Sequence, residues 1–316
     1  MIGFLARRIL QAAIVVLLVT MFTFILLRLI PGNVAVAILG PSAYRNPATL
    51  AQFNAQYGFD KPWFSQYLLW LGHLLQGNLG FSWTLDQSVS SLLAERLPKT
   101  IVLVGSSTII ALLVAVPIGL WQAVRRNKEV DYVFTSLSFL FYAAPTFLVG
   151  EVFILVFSVK LGWFGPTAPQ GNLGNDITDW RDMVLPVATL ALVSIALFSR
   201  YMRSSVLDNI SEDYVRTARA KGASRQRVLW RHVMRNSLIP IATLLGLSIP
   251  GIFAGALITE SVFNYPGMGY LFFQSAQKQD YPVLLGFIVV VAIATVVGSL
   301  LADIAYAVLD PRVRYA

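Results

Sequence analysis

Glu151, Glu260 and Asp303 are the ionisable residues set within or at the edge of long apolar runs. A charge at bilayer depth costs several kcal/mol, so each must face protein, water or a partner. Their wide separation does not make the dense pattern of a proton relay. Glu260 sits at the outer end of an apolar run, where it is either wet or lines a path through the membrane. Asp303 reads as a structural partner for a buried hydroxyl or basic group. His73 and His232 fall in different segments, and the sequence has no HExxH, GxSxG or GxxxxGK[ST] run. With no cysteine there is no thiol nucleophile and no disulfide framework. The chain is therefore not expected to be an enzyme. No catalytic residue, metal site or cofactor is expected on it.

The charge that is present is concentrated elsewhere. Between Arg200 and Arg235 stand nine Arg or Lys residues against three acids, Asp208, Glu212 and Asp213. Asn209 and Ser211 are N-cap candidates, Asn209 with Glu212 can form a capping box, and Glu212 and Asp213 suit a first helical turn. Helix-favouring residues follow to Lys221, and Gly222 suits the left-handed position after a helix end. Ser224 can cap a second helix running towards Asn236. Two short helices around a tight turn make a rigid knob that a cytoplasmic partner can grip. The plainer alternative is an amphipathic pair lying on anionic membrane lipid.

These residues need a membrane scaffold to hold them. Apolar residues make up 56% of the 316 and charged residues 13%, about half the charged share of a soluble domain. The first span is expected over Ile9–Ile30, stopped by Pro31 and Gly32, and is read as retained. The second runs from Thr100 to Trp121. The third, Tyr132 to Val159, contains Pro145 and should kink there. The fourth has its core at Met183–Phe198 and extends into Ser199–Met202. The fifth covers Leu238–Ile258 and the sixth Pro282–Leu309. An amphipathic helix between Trp63 and Leu75 carries Trp63, Tyr67 and Trp70, which suit the membrane interface. The fold class is thus an all-α polytopic membrane protein with six transmembrane helices. Its parts are a first span at 1–32, an external cap loop at 33–98 and a five-span core at 99–316. The core includes a cytoplasmic loop at 201–237 and an external loop at 261–281.

Charge fixes the orientation. Segments on the side of the basic loop carry sixteen Arg or Lys residues and those on the other side carry seven, over a greater length. Both termini are therefore expected in the cytoplasm. The positive charge is accounted for by topology, and no nucleic-acid-binding motif accompanies it.

The run EDYVRTARAKGASRQRVLWRHVMRNSLIP, Glu212 to Pro240, resembles the coupling segment of binding-protein-dependent ABC importer permeases. Further runs elsewhere in the chain are similar to the same family: FLARRILQAAIVVLLVTMFTFILLRLIPGN from Phe4, YGFDKPWFSQYLLWLGHLLQGNLGFSW from Tyr57, TESVFNYPGMGYLFFQSAQKQDYPV from Thr259, and the closing LDPRVRY. Together they resemble the first permease subunit of the dipeptide and oligopeptide branch. The general permease pattern is Glu-Ala-Ala, three residues, then Gly. Here Arg216, Thr217 and Ala218 stand before Gly222, so the acidic residue is replaced.

The resemblance implies a type I ABC importer permease fold with a cytoplasmic coupling helix over 211–222. It implies coupling residues at Glu212, Asp213, Tyr214, Arg216, Thr217, Ala218, Arg219, Lys221 and Gly222. The path or external gate falls at Glu260, Asn264, Tyr265, Pro266, Gly267 and Gly269. Partners would be a second homologous permease, two cytoplasmic ATPase subunits that hold ATP and Mg2+, an external or periplasmic substrate-binding protein, and membrane lipid, with no nucleic acid. The location would be a bacterial or archaeal cytoplasmic (inner) membrane. The expected cargo is di- or oligopeptide, with glutathione, nickel chelates or sugars as alternatives. Two other classes remain distinct: a stand-alone secondary transporter, which needs an ion site at broken helices, and a membrane scaffold.

Overall fold

The computed structural model describes residues 2–29, 47–57 and 60–309. The expected stop at Pro31–Gly32, the side chain of Asp303 and the tail 310–316 lie outside the described residues. Helix α1 covers Ile2–Leu29, α2 Pro47–Tyr57 and α3 Trp63–Leu75. A short antiparallel pair, β1 Phe81–Ser82 with β2 Gln87–Ser88, leads into α4, Val89–Val124. This helix starts well before Thr100 because the Ser88 side chain accepts a bond from the Ser91 N–H and caps it there. Pro98 and Pro117 are carried inside it.

Helix α5, Glu129–Ala143, and α6, Thr146–Phe153 with a π-helical continuation over Ile154–Lys160, cover the segment where the third span is expected. They meet at 102°. Ala144 adopts extended backbone (φ −69°, ψ 130°), as the residue before Pro145 tends to. The kink expected from the proline is thus a full break.

Helix α7 is Leu173–Thr178 and α8 is Trp180–Ile210. Helix α9, Asp213–Ala220, follows. One turn, α10 at Arg225–Arg227, widens into a π-helical stretch at Val228–Val233 and tightens again at α11, Met234–Ser237. The chain continues into α12, Ile239–Ala254. After a break at Gly255 come α13, Leu257–Val262, α14, Met268–Gln277, and α15, Tyr281–Leu309.

Among the described residues, four helical stretches are long and apolar enough to cross a membrane: Val89–Val124, Trp180–Ile210, Arg225–Val262 and Tyr281–Leu301. The bent pair makes a fifth if it is one span, and Ala13–Leu29 is a shorter apolar helix. Many large apolar side chains on α1, α4, α5 and α6 are exposed, as a bilayer or partner chain requires.

Two clusters position the functional regions. The first gathers Ala111, Ala115, Leu120 and Ala123 of α4 and Phe198, Met202 and Val206 of α8. Val215 and Ala218 of α9 and Val228, Val233, Met234 and Ile241 beyond it complete the cluster. The second joins Leu103, Ala168, Met183, Leu185, Phe263 and Tyr265 at the opposite end. Tyr67, expected at the membrane interface, is buried instead. Its ring meets Phe24 edge-on at 5.6 Å and its hydroxyl donates to the Leu17 carbonyl at 3.2 Å, docking α3 on α1.

Candidate functional site: the basic knob and the opposite turn

Helix α8 runs past Met202 to Ile210, so the first part of the expected loop 201–237 is helical. Arg200 and Arg203 are helical side chains, not loop charges. Only Ser211 and Glu212 separate α8 from α9. The expected caps do not form. Glu212 occupies the N-cap position in extended backbone, without a side-chain cap bond. Asn209 donates to the Ser205 carbonyl at 2.8 Å and accepts the Tyr214 hydroxyl at 2.7 Å. Ser211 turns back to donate to the Asp208 carbonyl at 3.1 Å. Both candidates are used up finishing α8, and the Tyr214 bond staples α9 to it.

The far end of α9 is as its sequence predicts. Gly222 has φ +80°. Its N–H donates to the Arg219 carbonyl at 2.9 Å, and the Ala223 N–H donates to the Ala218 carbonyl at 3.1 Å. This is a Schellman pair, which requires the left-handed residue between its two bonds. Ser224 then accepts from the Arg227 N–H at 3.4 Å and caps the next helical turn.

The α9 residues divide by face. Val215 and Ala218 are buried in the first cluster, with Tyr214 packed at its edge. Glu212, Asp213, Arg216, Thr217, Arg219, Lys221 and Gly222 are exposed. Arg216 and Asp213 pair at 3.5 Å with both side chains largely in solvent, so the pair adds little stability. Thr217 donates to the Asp213 carbonyl at 2.9 Å. A cleft of about 430 Å³ lies beside the knob, lined by Val124, Ile210, Arg219, Ala223, Arg225 and Leu229 among others. The arrangement offers a stiff basic surface on an apolar seat, joined directly to two long apolar helices.

The opposite turn is placed differently from expectation. Glu260 is fully buried, so it does not line a wet path in this structure. Its carboxylate accepts from Thr100 Oγ1 at 2.9 Å, the Tyr270 N–H at 2.9 Å and the Ala256 N–H at 3.3 Å. Thr100 accepts the Met268 N–H at 2.7 Å. A Cβ on Gly267 would stand 2.5 Å from the Glu260 carboxyl, so glycine is required for that approach. Tyr265 is buried too. Its hydroxyl donates to Asp176 Oδ2 at 2.6 Å and lies 2.9 Å from the Lys99 carbonyl. Pro266, Gly267 and Gly269 are buried, while Asn264, at φ +50°, is exposed. Burial pushes the Asp176 carboxyl above its ordinary value despite Tyr265 and the nearby Lys99. Burial and the Asp176 carboxylate push the Tyr265 phenol up. Glu151 is exposed on α6.

Sequence reasoning missed two groups: the Lys99–Asp176–Tyr265 cluster and an ion pair of Arg203 with Asp131. Neither has a spacing signal, because their partners are distant in the chain.

The profile described as "Binding-protein-dependent transport system inner membrane component" matches residues 115–315. Its N-terminal companion, "Binding-prot-dependent transport system membrane comp, N-term", matches residues 1–104. The chain is 39% identical over 319 residues to "Oligopeptide transport system permease protein AppB" of Bacillus subtilis (strain 168), covering all of both chains. It is 35% identical over 315 residues to "Glutathione transport system permease protein GsiC" of Salmonella choleraesuis (strain SC-B67), again covering all of both. In structure it is similar to a chain of "Inward facing conformations of the MetNI methionine ABC transporter: CY5 native crystal form". The TM-score is 0.55 at 13% identity, over 70% of this chain and 97% of that one.

Proposed function

Because this chain belongs to the family of binding-protein-dependent transport system inner membrane components, we propose that it is the transmembrane permease subunit of an ATP-driven importer of di- and oligopeptides. The observation that carries the mechanism is the seating of α9. Its buried face shares one apolar cluster with α4, α8 and the start of α12, while its basic face stays exposed.

In this reading the chain has six spans, both termini cytoplasmic, in a bacterial or archaeal inner membrane. A second permease completes the path, two ATPase subunits bind ATP and Mg2+, and an external binding protein delivers cargo. The exposed residues Glu212, Asp213, Arg216, Thr217, Arg219 and Lys221 meet one ATPase. Val215 and Ala218 transmit its displacement to α8 and α12. Coupling between distant sites needs an element with defined positions, not a compliant loop; the Schellman end and the Tyr214 staple supply that stiffness. The outer turn held by Glu260 frames the mouth, and exposed Asn264 is placed to meet the docked binding protein.

Peptide cargo follows from the oligopeptide-system relative. Glutathione is the second reading, favoured by the glutathione-system relative. The test is uptake by the reconstituted complex, with competition on the cognate binding protein. Short peptides should bind and be imported. Tight glutathione binding with no peptide binding would select the second reading. Substrate movement by this chain without ATPases would overturn the importer reading.

A further inference from the structure

Helix α5 turns most of its bulk outward. Tyr132, Val133, Phe139, Leu140 and Tyr142 are exposed, and the side chains it buries are polar, Asp131 and Ser138. It is held to α8 less by an apolar core than by a seam of polar contacts. Arg203 Nε and Nη2 donate to Asp131 Oδ1 and Oδ2 at 2.7 and 2.8 Å. The Asn127 N–H adds a bond to Oδ2 at 3.0 Å, and Asp131 is 2% exposed. Farther along, the hydroxyls of Ser138 and Ser199 meet at 3.3 Å. Near the bend the Arg200 guanidinium lies 4.6 Å from the Phe139 ring centre and 5.2 Å from that of Tyr142.

The seam joins two regions of different function. Helix α8 passes through Ser211 and Glu212 into α9. Helix α5 turns through 102° into α6. On α6, Gly150 lies so close to Val262 and Phe263 that an added Cβ would be 3.2 Å from each. Phe263 belongs to the outer turn. A continuous line of packed elements thus runs from α9 through α8, the Arg203–Asp131 bond, α5 and α6 to that turn.

We infer that the Arg203–Asp131 pair is a strut that makes the bent α5–α6 arm move as one body with α8, carrying a stroke received at α9 to the outer turn. The proposal rests on the permease reading. Its chemistry suits the task. A two-pronged guanidinium–carboxylate bond fixes orientation as well as distance. A buried carboxylate deprived of its partner has no equivalent alternative. Asp131 and Arg203 are positioning residues and need touch neither substrate nor ATPase.

The experiment uses the full complex with both permeases, ATPases and loaded binding protein. This chain has no cysteine, so Ser138→Cys with Ser199→Cys gives the one thiol pair on it, where two hydroxyls already touch. Asp131→Asn should lower uptake and the stimulation of ATP hydrolysis by loaded binding protein about tenfold, within the range for residues that carry coupling without touching a ligand. The oxidised cysteine pair alone should leave uptake unchanged. Oxidised in the Asp131→Asn background, it should restore uptake, and reduction should remove the rescue. Because a disulfide also stabilises a fold, the melting temperature of each complex is read in parallel, and a rescue of uptake that merely tracks the melt overturns the strut. Normal coupling in Asp131→Asn overturns the strut, as does reversible arrest of uptake by the cross-link alone. Should Asp131→Asn fail to assemble, the cross-link in the otherwise unchanged chain decides by the same two outcomes. A parent complex that hydrolyses ATP but imports nothing overturns the permease reading and the strut together.

Discussion

Replacing Gly222 separates a backbone requirement from a surface contact. At φ +80° no atom beyond the adjoining residues lies within 4 Å of the place where a Cβ would stand. Within this chain, crowding therefore contributes nothing and the cost is conformational. A left-handed L-residue costs about 1–2 kcal/mol, and a β-branched one is worse placed. Should the introduced valine relax to negative φ, the bonds to the Arg219 and Ala218 carbonyls are lost at around 1 kcal/mol each. Gly222→Val should therefore disfavour the native turn by on the order of 2 kcal/mol, a factor of roughly thirty in its population. Gly222→Ala should fall between, and Gly222→Asn should be mildest because asparagine tolerates this region. Insertion should be intact in all three. Uptake and ATPase stimulation by loaded binding protein, in complexes of matched assembly, should fall in the order Asn, Ala, Val. A Gly222→Val complex that couples like the parent refutes the claim that this turn transmits the stroke. If Asn is as damaging as Val, the partner reads the empty space at residue 222, and the backbone argument is wrong.

Other outcomes follow from the same geometry. Gly267→Ala brings a methyl against the Glu260 carboxyl at 2.5 Å and should destabilise by about 1–3 kcal/mol, read as a lower melting temperature of the assembled complex; an unchanged melt would show that the turn yields freely. Asp176 has a folded pKa above its ordinary 3.8. The folded state therefore holds its proton where the unfolded state has lost it, and stability falls as pH rises through that window. Asp176→Asn can still accept the Tyr265 hydroxyl, and it should flatten that part of the pH–stability curve; an unchanged slope would assign it to other groups. Reporters fused after Arg126 and Arg219 should read cytoplasmic and those after Gly77 and Gly174 external. An external reading at Arg219 would remove the coupling assignment.

The long apolar helices and the turn at Gly222 are legible because their causes are local: hydropathy over a span, and one residue able to take positive φ. Ser224 is legible for the same reason. The end of α8 is not. Arg200 and Arg203 look like loop charges until α5 is folded beside them, when one stacks on two aromatic rings and the other meets Asp131. Asn209 and Ser211 have the chemistry of caps, but the helix before them uses it. Glu260 looks like a path residue because its bond donors, Thr100 and the Tyr270 N–H, come from other parts of the chain. The break at Pro145 is marked in sequence, but its angle is set by what α6 packs against.

The π-helical stretch at Val228–Val233 amounts to a length reserve between the knob and the span. An α-helix turns by about 100° per residue. A residue lost from the middle of α12 would rotate everything beyond it by that angle and misdirect its buried face. A π-bulge holds one residue more than an α-helical turn needs, with the flanking helices still aligned. One deletion within Val228–Val233 can therefore be absorbed by tightening to regular helix. Chains differing by a residue here can keep the same azimuth between the exposed face of α9 and the long apolar helix α12.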